Sequence, residues 1–242
     1  APFIRSKLRS RAAKGKEDPA RLDERLGHAS SPRPEGRLIW IHAASVGETV
    51  SVLPLINALI EDPALTVLIT SGTVTSVTVI APHLSERVIH HYVPVDLVES
   101  VQRFLDHWRP DMAIWVESEL WPNLVLAAAA RSIPMIMVNA RMSERSARRW
   151  RRMPRLISPL LGAFGVCLAQ SEEDGNRLRS LGATSVSLAG NIKYDAPPLP
   201  VDETALHDLQ RGIGERPHWL AASTHPGDEA AAAEAHKALS GT

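Results

Sequence analysis

The chain has 242 residues, 44% of them hydrophobic and 22% charged, enough to bury a core in one large domain or in one domain and part of another. Lys plus Arg equals Asp plus Glu at 27 each, so the net charge is zero and the whole-molecule field gives no argument for nucleic acid as a partner. A single cysteine, Cys167, excludes an intramolecular disulfide framework and a cysteine-built metal site, and no stretch reaches the roughly 18 to 20 apolar residues of a membrane-spanning helix.

The chain opens with APFIRSKLRSRAAKGKED, in which Arg5, Lys7, Arg9, Arg11, Lys14 and Lys16 fall close together. The segment reads as the flank of an apolar anchor, a basic arm that would lie on an anionic leaflet with each charge contributing about 1 kcal/mol. A merely solvated basic arm is the competing reading. Residues 19–36, ending SSPRPEG, are polar and punctuated by proline, and are expected as a linker. From there short apolar runs recur: RLIWIHA (37–43), LTVLIT (65–70), VIHHYVP (88–94), MAIWVE (112–117), PMIMVNA (134–140), GVCLAQ (165–170) and SVSLAG (185–190). Runs apolar on both faces and rich in β-branched residues suit parallel strands covered on both sides. Amphipathic helices are predicted at 52–60, 97–108, 124–131 and 172–181, the last closed by Gly182 as its C-cap. Strands alternating with helices imply right-handed βαβ units, hence an α/β fold with an open, doubly wound parallel sheet of Rossmann-like type.

After Asp195 the texture changes to a Pro-rich connector, APPLPVDET, then a helix from about 203 to 209, a strand in HWLAAST and a helix in HPGDEAAAAEAHKAL. The expected layout is an arm and linker over 1–36, a Rossmann-like domain over 37–200, and over 201–242 a connector with the first βα unit of a second, truncated Rossmann-like domain.

Open α/β sheets bind ligands beyond the carboxyl ends of their strands. The residues after each run are therefore the candidates: HAASVGET, ESELWPN, NARMSERS and GNIKYD. In the first, Ala43, Ala44, Ser45 and Gly47 are small enough to let backbone approach a ligand, and Glu48 follows near a helix start. Glu48 has two readings: a first-turn glutamate stabilised by the helix dipole at about 0.3 to 1 kcal/mol, or a general base facing a cleft. Neither a three-glycine dinucleotide fingerprint nor a Gly-Lys-Ser/Thr phosphate loop is present, so those two enzyme classes drop out. Glu117 and Glu119 share a face only if the strand continues through them; the structural reading gives one the capping of a helix near Pro122 and the other an arginine partner. Trp121 is read as a packing wall, with sugar stacking as the alternative. Arg141, Arg145, Arg148, Arg149, Arg151, Arg152 and Arg155 form either a solvated helix face or, given the planar fork of arginine at a strand end, a phosphate contact. His42 is expected as a hydrogen-bonded core histidine, Cys167 as a buried small hydrophobe. His225, Glu229 and His236 have no recognised zinc spacing.

WIHAASVGET, ESELWPN, VNARMSERS, LAGNIKYD and AASTHPGDE, in that order and at these separations, resemble the 3-deoxy-D-manno-octulosonic acid (Kdo) transferase family over about residues 37–230. Members of that family add Kdo from CMP-Kdo to the lipid A precursor of Gram-negative bacteria. The resemblance implies a two-domain glycosyltransferase of GT-B type, inverting, with no cofactor and no catalytic metal, held at the cytoplasmic face of the inner membrane by an apolar anchor at its start. It implies Glu48 as catalytic base, with one carboxylate sufficing because the CMP phosphate leaves as a stable anion. It further implies Ser45, Gly47, Glu117 and Glu119 as acceptor-binding, and Ser223, Thr224 and His225 as donor-binding, with an ordinary N-capped βα loop as the other reading of those three; Lys193 is a donor-side candidate or a plain strand-end residue, and Arg148 and Arg149 of the arginine run are the candidates for the acceptor phosphates. The partners implied are CMP-Kdo, the lipid A precursor and an anionic membrane surface. A non-catalytic phosphoglycolipid-binding α/β domain is the alternative function, and an RNA-binding use of the arginine run is weakened by zero net charge.

Overall fold

In the computed structural model, which describes residues 2–195 and 201–240, the run RLIWIH forms strand β1 (Arg37–His42), buried at every residue after Arg37. Its side chains alternate between two separate cores: Leu38 and Trp40 join one cluster, Ile39 and Ile41 the other. That alternation is the reason the run lacks a polar face, since both faces of the sheet are covered. Strands β2 (Leu65–Ser71), β3 (Val88–Tyr92), β4 (Met112–Val116), β5 (Met135–Ala140), β6 (Val166–Ala169) and β7 (Val186–Leu188) complete a seven-stranded parallel sheet in the order β3-β2-β1-β4-β5-β6-β7.

The helices divide by face. After α1 (Pro2–Ala12), helices α2 (Val46–Ser51), α3 (Leu53–Leu59) and α4 (Val74–Ile80) lie along the first three strands, and Val52, Ile56 and Ile80 fill the core with Ile39 and Ile41. Then α5 (Val98–Trp108), α6 (Pro122–Ala130), α7 (Glu144–Trp150), α8 (Pro154–Gly162) and α9 (Glu172–Leu181) cover the other face, where Phe104, Trp108, Leu124, Leu160 and Leu178 pack on Trp40 and Trp115. Each of these large side chains, fully buried, contributes about 2 to 3 kcal/mol of transfer free energy. The chain changes face between β3 and β4, so its strand order reverses at the β1/β4 boundary. A crevice at the carboxyl ends of β1 and β4 follows.

The predicted helices differ from those observed mainly at their starts. The helix expected at 52–60 begins at Val46 and breaks into α2 and α3 around Val52, and the one expected from 124 begins at Pro122, whose fixed φ suits a first turn. Helix α9 spans 172–181 as predicted, and Gly182 closes it at φ 112°, where a Cβ would stand 2.6 Å from Ser158 Oγ. Helices α1, α4 and α8 carried no sequence expectation.

Residues 19–36 are not a free linker. They contain two 3-10 turns, Pro19–Arg21 and Glu24–Leu26, and bury Glu24, Arg25 and Leu26 against β3. Glu24 accepts the Tyr92 amide at 2.7 Å and Arg21 donates to the His90 carbonyl at 2.9 Å, which satisfies two outward-facing groups of this edge strand. Arg21 is itself held by Glu24 at 2.7 Å, and Arg25 donates to Val93 O and pairs with Glu17 at 3.3 Å. The composition of the segment is polar because its polar groups are spent on a strand edge.

The chain divides into two compact units, Ala1–Pro197 and Pro198–Thr242. The second, by itself, contains α10 (Glu203–Ile213), capped by Asp202, and α11 (Asp228–Ser240). The strand expected in HWLAAST does not form: residues 218–224 carry no strand pairing, as an isolated parallel strand has no neighbour to complete its ladder. Residues 196–200 of the Pro-rich connector, and the chain end at 241–242, lie outside the described residues.

Candidate functional site

The β1/β4 crevice is built first from the loop after β1. Ala43 N donates to Thr70 O at 2.9 Å and Gly72 N to Ala44 O at 3.1 Å, tying this loop to the end of β2. A Cβ on Gly72 would meet Ala44 O at 3.1 Å, so glycine permits the close approach. Ser45 is the N-cap of α2 and accepts from Glu48 N. Glu48 reaches back: Oε1 accepts from Ser45 Oγ at 2.6 Å and Oε2 from Ala44 N at 2.8 Å. The Ser-x-x-Glu spacing is thus a reciprocal capping arrangement.

Of its two readings, Glu48 shows the capping one directly. It caps its helix, and it is a carboxylate only 5% exposed, with no ion-pair partner among the described residues. Burial pushes its pKa up, the charges of Glu119 and Glu117 push the same way, and the bonds from Ser45 and Ala44 oppose them. Such a carboxylate is held in one orientation and binds a proton more strongly than a solvated one does. Ser45 and Gly47 are exposed beside it, and the space where Gly47 would carry a Cβ is open.

The second wall comes from β4. Glu117, the first residue past the strand, has φ 57°, a left-handed conformation uncommon outside glycine, and its amide donates to Val138 O at 2.9 Å. Its carboxylate meets Lys193 Nζ at 3.0 Å, not an arginine. Lys193 sits on the 3-10 turn Ile192–Asp195, which packs against α2, so the structure brings a residue expected on the donor side onto a glutamate expected on the acceptor side. Glu119 accepts from Trp121 Nε1 at 3.0 Å. Trp121 is half-buried and sets its ring edgewise to His42 at 5.9 Å, a packing wall as expected.

Neither glutamate caps α6. Asp96, which the sequence reading passed over, does so with both oxygens: Leu124 N at 2.9 Å and Asn123 N at 3.1 Å, while Asn123 Nδ2 donates to Asp96 O at 2.7 Å. Only its place shortly after a predicted strand hinted at a role. His42 is the expected core histidine on one side, with Nδ1 at 3.0 Å from Thr70 Oγ1; burial lowers its pKa to about 3, and Nε2 is buried without a partner.

Glu117, Ser118, Glu119, Arg141, Ser146 and Trp150 border a polar cavity of about 230 Å³ between the ends of β4 and β5. Arg148 and Arg149 do not line it. They are exposed on α7, and Arg148 approaches Glu144 at 3.6 Å, alongside Arg151 and Arg177 at 3.3 Å each. In the second unit, Ser223, Thr224 and His225 form the exposed loop before α11. His225 N donates to Asp228 at 2.9 Å, and a hydrogen bond from Thr224 lowers the Glu229 pKa, which is the geometry of a helix start. Among the described residues no three His, Cys, Asp or Glu side chains gather as a metal ion requires.

A family model described as 3-deoxy-D-manno-octulosonic-acid transferase (kdotransferase) matches residues 20–196. The chain is 37% identical over 248 residues to a probable mitochondrial 3-deoxy-D-manno-octulosonic acid transferase of Arabidopsis thaliana, covering 99% of this chain and 55% of that protein. It is likewise 37% identical over 229 residues to the 3-deoxy-D-manno-octulosonic acid transferase of Haemophilus influenzae, covering 90% of this chain and 52% of the relative. The chain therefore spans about half the length of the curated relatives it matches. Among solved structures, the S. aureus MnaA–UDP co-structure superposes with a TM-score of 0.51 at 16% identity, over 69% of this chain and 47% of that one, a likeness of fold.

Proposed function

The chain belongs to the 3-deoxy-D-manno-octulosonic-acid transferase family, and on that premise we propose that it forms the acceptor-side lobe of a two-lobed GT-B enzyme that moves Kdo from CMP-Kdo to a lipid A precursor, with inversion and without a metal. The acceptor hydroxyl oxygen bonds to the anomeric carbon of Kdo while the bond from that carbon to the CMP phosphate oxygen breaks. The electron pair leaves with the phosphate. The hydroxyl proton passes to Glu48.

The observation that supports this reading best is Glu48 itself: one carboxylate at the sheet's switch point, fixed by Ser45 and Ala44, its proton affinity raised by burial. Glu117 and Glu119 on the facing loop offer acceptors for sugar hydroxyls. The membrane setting is proposed from α1, where Phe3, Lys7 and Arg9 are exposed while Leu8 packs inward and Arg5 pairs with Asp23 at 3.3 Å. That leaves cations and an aromatic ring on the outer side of a helix attached to the unit.

The test is transfer of radiolabelled Kdo from CMP-Kdo to lipid IVA by the full-length protein and by its Glu48→Ala variant. Loss of a general base predicts a fall of roughly 10²- to 10⁴-fold in kcat. Activity retained in the variant overturns the assignment of the base.

A further inference from the structure

The arginine run leaves open which guanidinium meets substrate, and the geometry singles out one that was not favoured on sequence. Arg148 and Arg151 share Glu144 with Arg177, and Lys193 is occupied by Glu117. Arg141 alone among the arginines borders the cavity beside Glu117 and Glu119, and among the described residues its side chain has no ion-pair or hydrogen-bond partner.

Its main chain, in contrast, is clamped. Ser118 Oγ donates to Arg141 O and accepts from Arg141 N at 3.3 Å, which joins the loop after β4 to the loop after β5. The next residue, Met142, is 2% exposed; its amide donates to Asp174 at 2.8 Å and its carbonyl accepts from Arg177 at 3.3 Å. The held main chain fixes where the side chain starts, at the cavity rim, and a planar fork with no partner of its own is suited to an oxyanion. Ser146 adds a donor: its hydroxyl accepts from Ser143 Oγ at 3.1 Å and keeps its own hydrogen. Trp150, half-buried, forms one wall.

We propose that this cavity is an oxyanion subsite of the transfer cleft, with Arg141 as its anchor and Ser146 as a supporting donor, taking a phosphate of the acceptor or the carboxylate of the ulosonic acid. The proposal rests on the transferase reading above. It fixes specificity: the group seated on Arg141 sets which sugar hydroxyl stands at Glu48, whose charge is coupled to Glu117 and Glu119 on the cavity wall.

The full-length protein and its Arg141→Ala, Arg141→Lys and Arg37→Ala variants test it, Arg37 being an exposed cation at the amino end of β1. KM is measured for CMP-Kdo, for the bisphosphorylated acceptor and for acceptors lacking either phosphate, and binding of the bisphosphorylated glucosamine disaccharide is followed by calorimetry. Arg141→Ala is expected to raise one substrate's KM at least about tenfold with kcat little changed. Arg141→Lys recovers part of it, and Arg37→Ala matches the parent. A loss confined to the acceptor, and absent when one phosphate is absent, identifies phosphate; a loss confined to CMP-Kdo identifies the carboxylate. Transfer intact with neither KM moved overturns the subsite and spares the transferase reading. Disaccharide binding that depends on Arg141 in a protein without Kdo transfer overturns the transferase reading and keeps the subsite.

Discussion

At the scale of the residue, Glu48 carries opposing demands. Two hydrogen bonds favour its carboxylate, yet burial beside Glu117 and Glu119 outweighs them, so its folded pKa lies above the ordinary carboxylate value. Below that ordinary value both the folded and the unfolded chain hold the proton. As pH rises through the window between the two values only the folded chain keeps it, and stability falls across that window and stays lower above it. Glu48→Gln removes this cost. Its melting temperature should equal or exceed that of the parent at pH 7, with the difference shrinking towards pH 4, while transfer is lost; a variant much less stable at pH 7 would show that capping outweighs charge burial. Ser45→Ala removes a bond that lowers the pKa, so the acid limb of the activity–pH profile should move to higher pH. An unmoved limb would separate that ionisation from Glu48.

At the scale of the element, α6 starts where it does because Asp96, from a different βα connection, takes two of its first amides. Helix starts leave such donors without intrahelical partners, and loss of an N-terminal cap costs about 0.5 to 2 kcal/mol. Asp96→Ala should therefore lower stability by about that amount and speed amide exchange at Asn123 and Leu124. Because α6 follows directly on the loop holding Glu117 and Glu119, KM for the acceptor should rise more than kcat falls. An effect on stability alone would make the cap purely structural. The strap over β3 works in the same way: Glu24→Ala strips the Tyr92 amide and Arg21 of a shared acceptor, for a loss of about 1 to 3 kcal/mol and faster exchange at Tyr92.

At the scale of the whole molecule, the sheet has two edges, and β3 is one of them. Its His90 carbonyl and Tyr92 amide are met by side chains of residues 19–28, while Gly27, at φ 85°, lets the strap pass so near Ser100 O that a Cβ there would lie 2.0 Å away. Deleting residues 1–28 should lower the melting temperature and free that edge, giving concentration-dependent dimers or aggregates by light scattering. A monomer of unchanged stability would show that the strap is dispensable.

The alternating apolar runs determined the strands, because a strand buried on both faces leaves the same mark wherever it is paired. Glu172 to Gly182 was legible to the residue, since caps are local chemistry. The small-residue loop and Glu48 were legible too, because close backbone approach and a first-turn carboxylate are written in adjacent positions. What the sequence left open were matters of who meets whom. The strap looked like a linker because its polar groups face a strand 68 residues away in Tyr92, Asp96 looked idle because the first amide it takes lies 27 residues on in Asn123, and Lys193 found Glu117 across 76. The strand expected in HWLAAST failed for the same reason, for a strand exists only with a neighbour to bond. Arg141 stood apart from the other arginines only once the fold had set it on the cavity beside Glu117 and Glu119, because what a charge can meet depends on what tertiary structure places beside it.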